Sequence, residues 1–131
     1  MVRSIYSKMA AQHKNPVPNA AIHNGLMVTS GILGKDQQTG RYYETPEQQI
    51  ESVFTQLEFI LQEAGATPQD VIKVDLYFCD KSHRPLVNTH WLRLWPDPAY
   101  RPARQAHESV QPEGCFIQLV AMAAVKSVVV N

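Results

Sequence analysis

One arginine is set among small neighbours in the stretch RPARQA, residues 101–106: Arg104 lies between Ala103 and Gln105, with Ala106 beyond. A guanidinium is a planar, permanently charged fork that can grip a carboxylate through two parallel hydrogen bonds. Small neighbours leave a hollow beside it. The alternative reading is a solvated arginine on an edge strand. Gln118 is the second unusual residue, standing alone between Ile117 and Leu119 in the apolar run FIQLVAMAAV. A buried amide without partners costs ~1–3 kcal/mol. Gln118 therefore either satisfies backbone groups or holds a water or a substrate.

The remaining chemistry-bearing residues carry less. His13, His23, His83, His90 and His107 form no HExxH-type motif, and His83 and His90 are not spaced as a ligand pair on one helical turn. No metal site is expected. His107, three residues beyond Arg104 on a strand, should face away from it. Cys79 and Cys115 lack CxxC spacing and adjoin apolar runs, so both are expected as buried reduced thiols. Arg41, Tyr42 and Tyr43 make a small basic-aromatic cluster, but Lys+Arg and Asp+Glu are 12 each and the formal net charge is zero. A nucleic-acid binder rests on a basic excess, so nucleic acid is not an expected partner.

These residues must be positioned by a small scaffold. The 131 residues, 44% hydrophobic and 18% charged, fit one globular domain spanning 1–131. The apolar run at Val120 to Val125 is too short to cross a bilayer, and MVRSIYSKMAAQHKN lacks the apolar core of a signal peptide. A cytoplasmic protein without a membrane partner is expected. The strongest element is the helix in TPEQQIESVFTQLEFILQEAG. Thr45 caps it, Pro46 takes the first position, Gln48 completes a capping box and Gly65 closes it. Ile50, Val53, Phe54, Leu57, Ile60, Leu61 and Ala64 recur at three- and four-residue steps as one stripe.

In VIKVDLYFC, alternation puts Ile72, Val74, Leu76 and Phe78 on one strand face and Lys73, Asp75, Tyr77 and Cys79 on the other. A second helix is expected over Arg84 to Trp95, with Val87, Trp91, Leu94 and Trp95 as core anchors and Pro96 ending it. Strands are expected at Ser4 to Lys8, in LMVTSG up to Gly31, and at Arg41 to Tyr43. A closing hairpin pairs Pro102 to Val110 with Cys115 to Val125 through the turn QPEG. The sum is an α+β layout, two helices on one face of a mixed sheet. The other face lacks a cover, and the last strand is apolar on both sides. Self-association through the sheet is the remedy, and zero net charge permits it.

The segments VTSGILGKDQQTG, EQQIESVFTQLEFILQEAGATPQDVIKVDLYFCD, LVNTHW, RPARQA and IQLVAMAAV, in this order over roughly residues 15–126, resemble the Rid (YjgF-type) family. The resemblance implies a chorismate-mutase-like fold and a homotrimer whose sheets meet in a central barrel. It also implies hydrolysis of reactive imines and enamines to 2-keto acids and ammonia, in clefts between subunits and without a cofactor. Carried over by position, the carboxylate-binding arginine is Arg104 and the water-positioning glutamate is replaced by Gln118. A tyrosine is replaced by Val17. Gly31, Asn88 and Ala106 occupy the remaining substrate-binding positions. Glutamine keeps an acceptor but cannot take a proton.

Three rival functions follow from the same residues. One is a non-catalytic binder of small acids or a chaperone-like trimer. A second is a deaminase of an aromatic-degradation intermediate. The least favoured is a ribonuclease. Strand parity is open as well. A four-residue loop at Gln111 to Gly114 puts Arg104 and Gln118 on opposite faces, whereas an odd loop or a bulge puts them together.

Overall fold

The structure is a computed structural model that describes residues 1–126. Its strands are β1 (Arg3–Ile5), β2 (Ala20–His23), β3 (Leu26–Thr29), β4 (Ile32–Leu33), β5 (Val71–Phe78), β6 (Ala103–Glu108) and β7 (Ile117–Ala124). Helix α1 spans Pro46–Glu63 and α2 spans Asn88–Leu94. The strands form one mixed sheet in the order β1-β2-β3-β7-β5-β6, with β4 extending the pairing along β7. Both helices pack on one face of it, the α+β arrangement expected.

Helix α1 begins as its sequence dictates. The Thr45 side chain accepts from the Gln48 N–H, the Gln48 side chain reciprocates, and Pro46 takes the first turn. The stripe from Ile50 to Leu61 is buried against the sheet. Two polar residues share that buried face. Gln49 is fully buried and donates to the carbonyls of Tyr43 (2.8 Å) and Gly114 (2.7 Å) while accepting from the Phe116 N–H (2.8 Å). Gln56 donates to the Leu33 carbonyl at 2.7 Å and accepts from the Ala11 N–H at 3.0 Å. These amides fasten the helix to the neighbouring loops and to the end of β4. Gly34 permits the approach: a Cβ there would lie 2.7 Å from the Gln49 Cα.

Four expectations are corrected. The tail is not a hairpin: β6 runs parallel to β5 and β7 antiparallel to it, so β5 lies between them. The parallel pair is joined by the crossover holding α2, and β6, paired to β5 alone, is the edge strand. Ile72 is 49% exposed because a bulge between Val71 and Lys73 shifts the register, whereas Val74, Leu76 and Phe78 are buried as expected. The second helix is α-helical only from Asn88, because Lys81–Val87 is a 3₁₀ segment containing Pro85, whose ring and missing N–H oppose an α turn. Cys79 is exposed at the exit of β5, and only Cys115 is buried. Strand boundaries differ too: β1 ends at Ile5, and Tyr42 makes only a single bridge, to Lys35. Trp91 and Trp95 are core anchors as expected, with Trp95 donating to the Pro68 carbonyl at 2.8 Å.

The face away from the helices stays uncovered. Leu26, Val28 and Met122 are 45%, 38% and 37% exposed there. No helix among the described residues is long and apolar enough to cross a membrane.

Candidate functional site

Register decides which side chains share a face. Arg104 pairs with Val74 and Ala106 with Leu76, so both lie on the helix side of the sheet, at its β6 edge. Gln118 pairs with Tyr77, on the uncovered side. Arg104 and Gln118 are therefore on opposite faces of one chain, the first of the two parities left open by the sequence. His107 also pairs with Tyr77 and faces away from Arg104, as expected. Its ring stacks on Tyr77 (centroids 4.5 Å apart), and its Nε2 lies 3.0 Å from Asp75 Oδ1.

The first cluster surrounds Arg104. The crossover brings Asn88 over the edge strand, and Arg104 Nη1 donates to Asn88 Oδ1 at 2.9 Å. The guanidinium lies over the Trp91 ring, 5.1 Å from its centroid, within cation–π range. Nη2 approaches the Arg84 carbonyl at 3.5 Å. A crevice of about 440 Å³ is lined by Arg84, Pro85, Asn88, Arg104 and Ala106. No carboxylate among the described residues pairs with Arg104. Burial, and then the Arg84 charge, push the Arg104 guanidinium below its ordinary pKa. It is still a cation, held in place by neutral partners and left without a counter-charge.

The second cluster lies on the uncovered face. Gln118 is half-buried rather than buried, and its Nε2 donates to Gln111 Oε1 at 2.6 Å. Gln111 Nε2 donates in turn to Ser109 Oγ at 2.7 Å, and the Cys115 thiol approaches Gln111 Oε1 at 3.8 Å. This chain turns Gln118 Oε1 toward Gly31, where an added Cβ would meet it at 2.7 Å. Ser30, beside Gly31, donates to the carbonyl of Pro18 at 2.8 Å, which ties the exposed Val17 segment to the same corner.

Of the residues singled out from sequence, Arg104, Asn88 and Ala106 come together, and Gln118 and Gly31 come together, with the Val17 segment tied in through Pro18 and Ser30. The two groups do not meet within one chain. Sequence reasoning missed Arg84 and Gln111. The sequence marks Arg84 only as the start of a helix and Gln111 only as a turn residue. A larger hollow of about 610 Å³ beside α1 includes Asp36, Gln48 and Gln56 in its lining. Those groups are engaged in a turn, the α1 cap and the bonds that fasten the helix, and the hollow's lining cation, Lys35, lies over the Tyr42 ring at 4.7 Å instead of being held by an amide as Arg104 is.

Comparison with known proteins decides the family. The family model described as endoribonuclease L-PSP matches residues 4–124.

The chain belongs to that family, the Rid (YjgF-type) proteins.

A curated Rid relative, the chloroplastic Reactive Intermediate Deaminase A of Arabidopsis thaliana, is 31% identical over 94 residues, covering 71% of this chain and 49% of that protein. A RutC family protein of Aquifex aeolicus is 28% identical over 103 residues, covering 79% of this chain and 82% of its own length. A Thermotoga maritima crystal structure described as a candidate endoribonuclease superposes with a TM-score of 0.88 at 28% identity, covering 97% of this chain and 100% of that one. RidA from an Antarctic Psychrobacter shares the fold, with a TM-score of 0.86 at 24% identity over 94% of this chain and 99% of its own.

Proposed function

We propose that this Rid protein is a hydrolytic deaminase of small reactive imino acids, acting as a single domain over residues 1–131 in a homotrimer. The observation that carries the reading is Arg104, a guanidinium without a counter-ion, fixed by Asn88 and Trp91 in a crevice floored by Ala106. Arg104 grips the substrate carboxylate and places the C=N carbon at the crevice mouth. Water adds to the carbon of the protonated imine to give a carbinolamine. Its nitrogen takes a proton, the C–N bond breaks and ammonia leaves, so a 2-iminium acid and water become a 2-keto acid and ammonium. Imines hydrolyse in water unaided, so positioning is enough and the chemistry calls for no metal or organic cofactor.

Gln118 orients that water through Oε1 and takes no proton. Because it lies on the other sheet face, it acts on the crevice of a neighbouring copy, with Gly31 beside it and Val17 brought in by the segment that Ser30 ties to that corner. The uncovered face with Leu26, Val28 and Met122 supports such an assembly, since each copy can cover another's apolar side chains. The Arabidopsis relative named as a reactive intermediate deaminase supports the reaction class.

Steady-state hydrolysis of freshly generated 2-iminopropionate tests the reading. Arg104→Ala should lower kcat/KM at least tenfold, the loss of one charge-assisted grip worth ~1.5–3 kcal/mol. Equal rates for the variant and its parent remove Arg104 from the reaction. A second reading, a non-catalytic binder of small acids, is favoured by Gln118 and Val17, which supply neither a base nor a hydroxyl. Calorimetric binding of pyruvate without any acceleration of imine hydrolysis would establish it instead.

A further inference from the structure

The crevice contains a second cation that the deaminase reading does not use. Arg84 lines it together with Arg104, near the end of the 3₁₀ segment that crosses over the edge strand. No ion pair to Arg84 is formed among the described residues. The nearby carboxylates are turned elsewhere. Asp80 accepts from the Ser82 N–H at 2.8 Å, and Glu108, on the Arg104 side of β6, accepts from the Lys81 N–H at 2.9 Å. Two arginines thus line one hollow of about 440 Å³ whose lining holds no carboxylate. Burial first, and then the Arg84 charge, hold the Arg104 guanidinium below its ordinary pKa. One monocarboxylate answers one of these charges and leaves the other facing it. A small dianion answers both.

We infer that the crevice selects imino acids carrying a second carboxylate, Arg104 holding the 2-carboxylate and Arg84 the side-chain carboxylate. The substrate class is then the imine of an acidic amino acid, and the reaction supplying it is oxidation of such an amino acid at its 2-amino group. The binding half stands on the two arginines alone. The catalytic half rests on the deaminase reading.

The probes are 2-oxoglutarate and pyruvate in calorimetry, and 2-iminoglutarate and 2-iminopropionate in the hydrolysis assay. Tighter binding of 2-oxoglutarate than of pyruvate by about tenfold or more is expected, one additional charge-assisted contact. Arg84→Met should erase most of that advantage and lower the ratio of kcat/KM for the two imines by a similar factor. Arg84→Lys, which keeps a charge without the fork, should restore part of it. Arg84 is exposed, so these changes leave the core untouched. Equal binding of the two keto acids, or a preference that survives Arg84→Met, overturns the inference even if both imines are hydrolysed. Inorganic phosphate binding as tightly as 2-oxoglutarate overturns the dicarboxylate assignment. A strong 2-oxoglutarate preference with no imine hydrolysis keeps the two-arginine site and removes the deaminase.

Discussion

Replacing Gln49 by leucine isolates the bond set that locks helix α1 to the loop ahead of β7. Gln49 is fully buried and serves three backbone groups: the carbonyls of Tyr43 and Gly114 and the N–H of Phe116. Three net hydrogen bonds at ~1 kcal/mol each give about 3 kcal/mol lost. Leucine regains ~1 kcal/mol of apolar burial, while a single backbone group stranded from water adds up to ~2 kcal/mol. The net expectation is about 2–4 kcal/mol of destabilisation, or roughly a 10 °C fall in Tm for a chain of this size. Urea unfolding followed by circular dichroism, at one fixed protomer concentration, measures it. A loss below ~0.5 kcal/mol, the range of ordinary surface substitutions, would refute the claim that this amide fastens the helix to its loops.

Further outcomes follow from other contacts. Gly31→Ala places a Cβ 2.7 Å from Gln118 Oε1, so the amide must turn and break its bond to Gln111. About a tenfold fall in kcat for imine hydrolysis is expected, with little change in Tm; an unchanged kcat removes the oriented oxygen from the mechanism. His90, stacked on Phe54 at 5.7 Å, has its pKa held below the ordinary histidine value, first by burial and then by Arg93. The unfolded chain therefore binds its proton more readily than the folded one. Stability should be complete above the ordinary value and fall as pH drops through it toward the folded value. Urea midpoints between about pH 7 and pH 5 should show this, and His90→Phe should reduce the slope; an unchanged slope would remove His90 as a source. Tyr42 is pushed up to about 12, first by burial and then by Cys115, so in a spectrophotometric titration Tyr42→Phe should remove the last phenol to ionise.

Local signals carried the readable part of the fold. Thr45, Pro46 and Gln48 spelled out the start of α1, and the apolar stripe spelled out the face it buries. Alternation placed Val74, Leu76 and Phe78 correctly but failed at Ile72, because a bulge obeys the partner strand rather than the local pattern. The tail read as a hairpin because QPEG is a sound turn; that β5 separates β6 from β7 is a long-range fact that no local residue encodes. Arg104 was legible from its small neighbours. Its fixation by Asn88 and Trp91 depends on where a crossover lands on the sheet, as does the approach of Arg84. Gln118 looked buried because its neighbours are apolar, yet period-two alternation sends it to the uncovered face.

The most direct test of the account is a crystal structure of the protein with pyruvate bound. The pyruvate carboxylate should lie on the Arg104 guanidinium with two parallel hydrogen bonds, between Asn88 and Ala106, with Gln118 of a neighbouring copy facing the keto carbon. A carboxylate bound away from Arg104, or an Arg104 crevice left empty at saturating pyruvate, would contradict it.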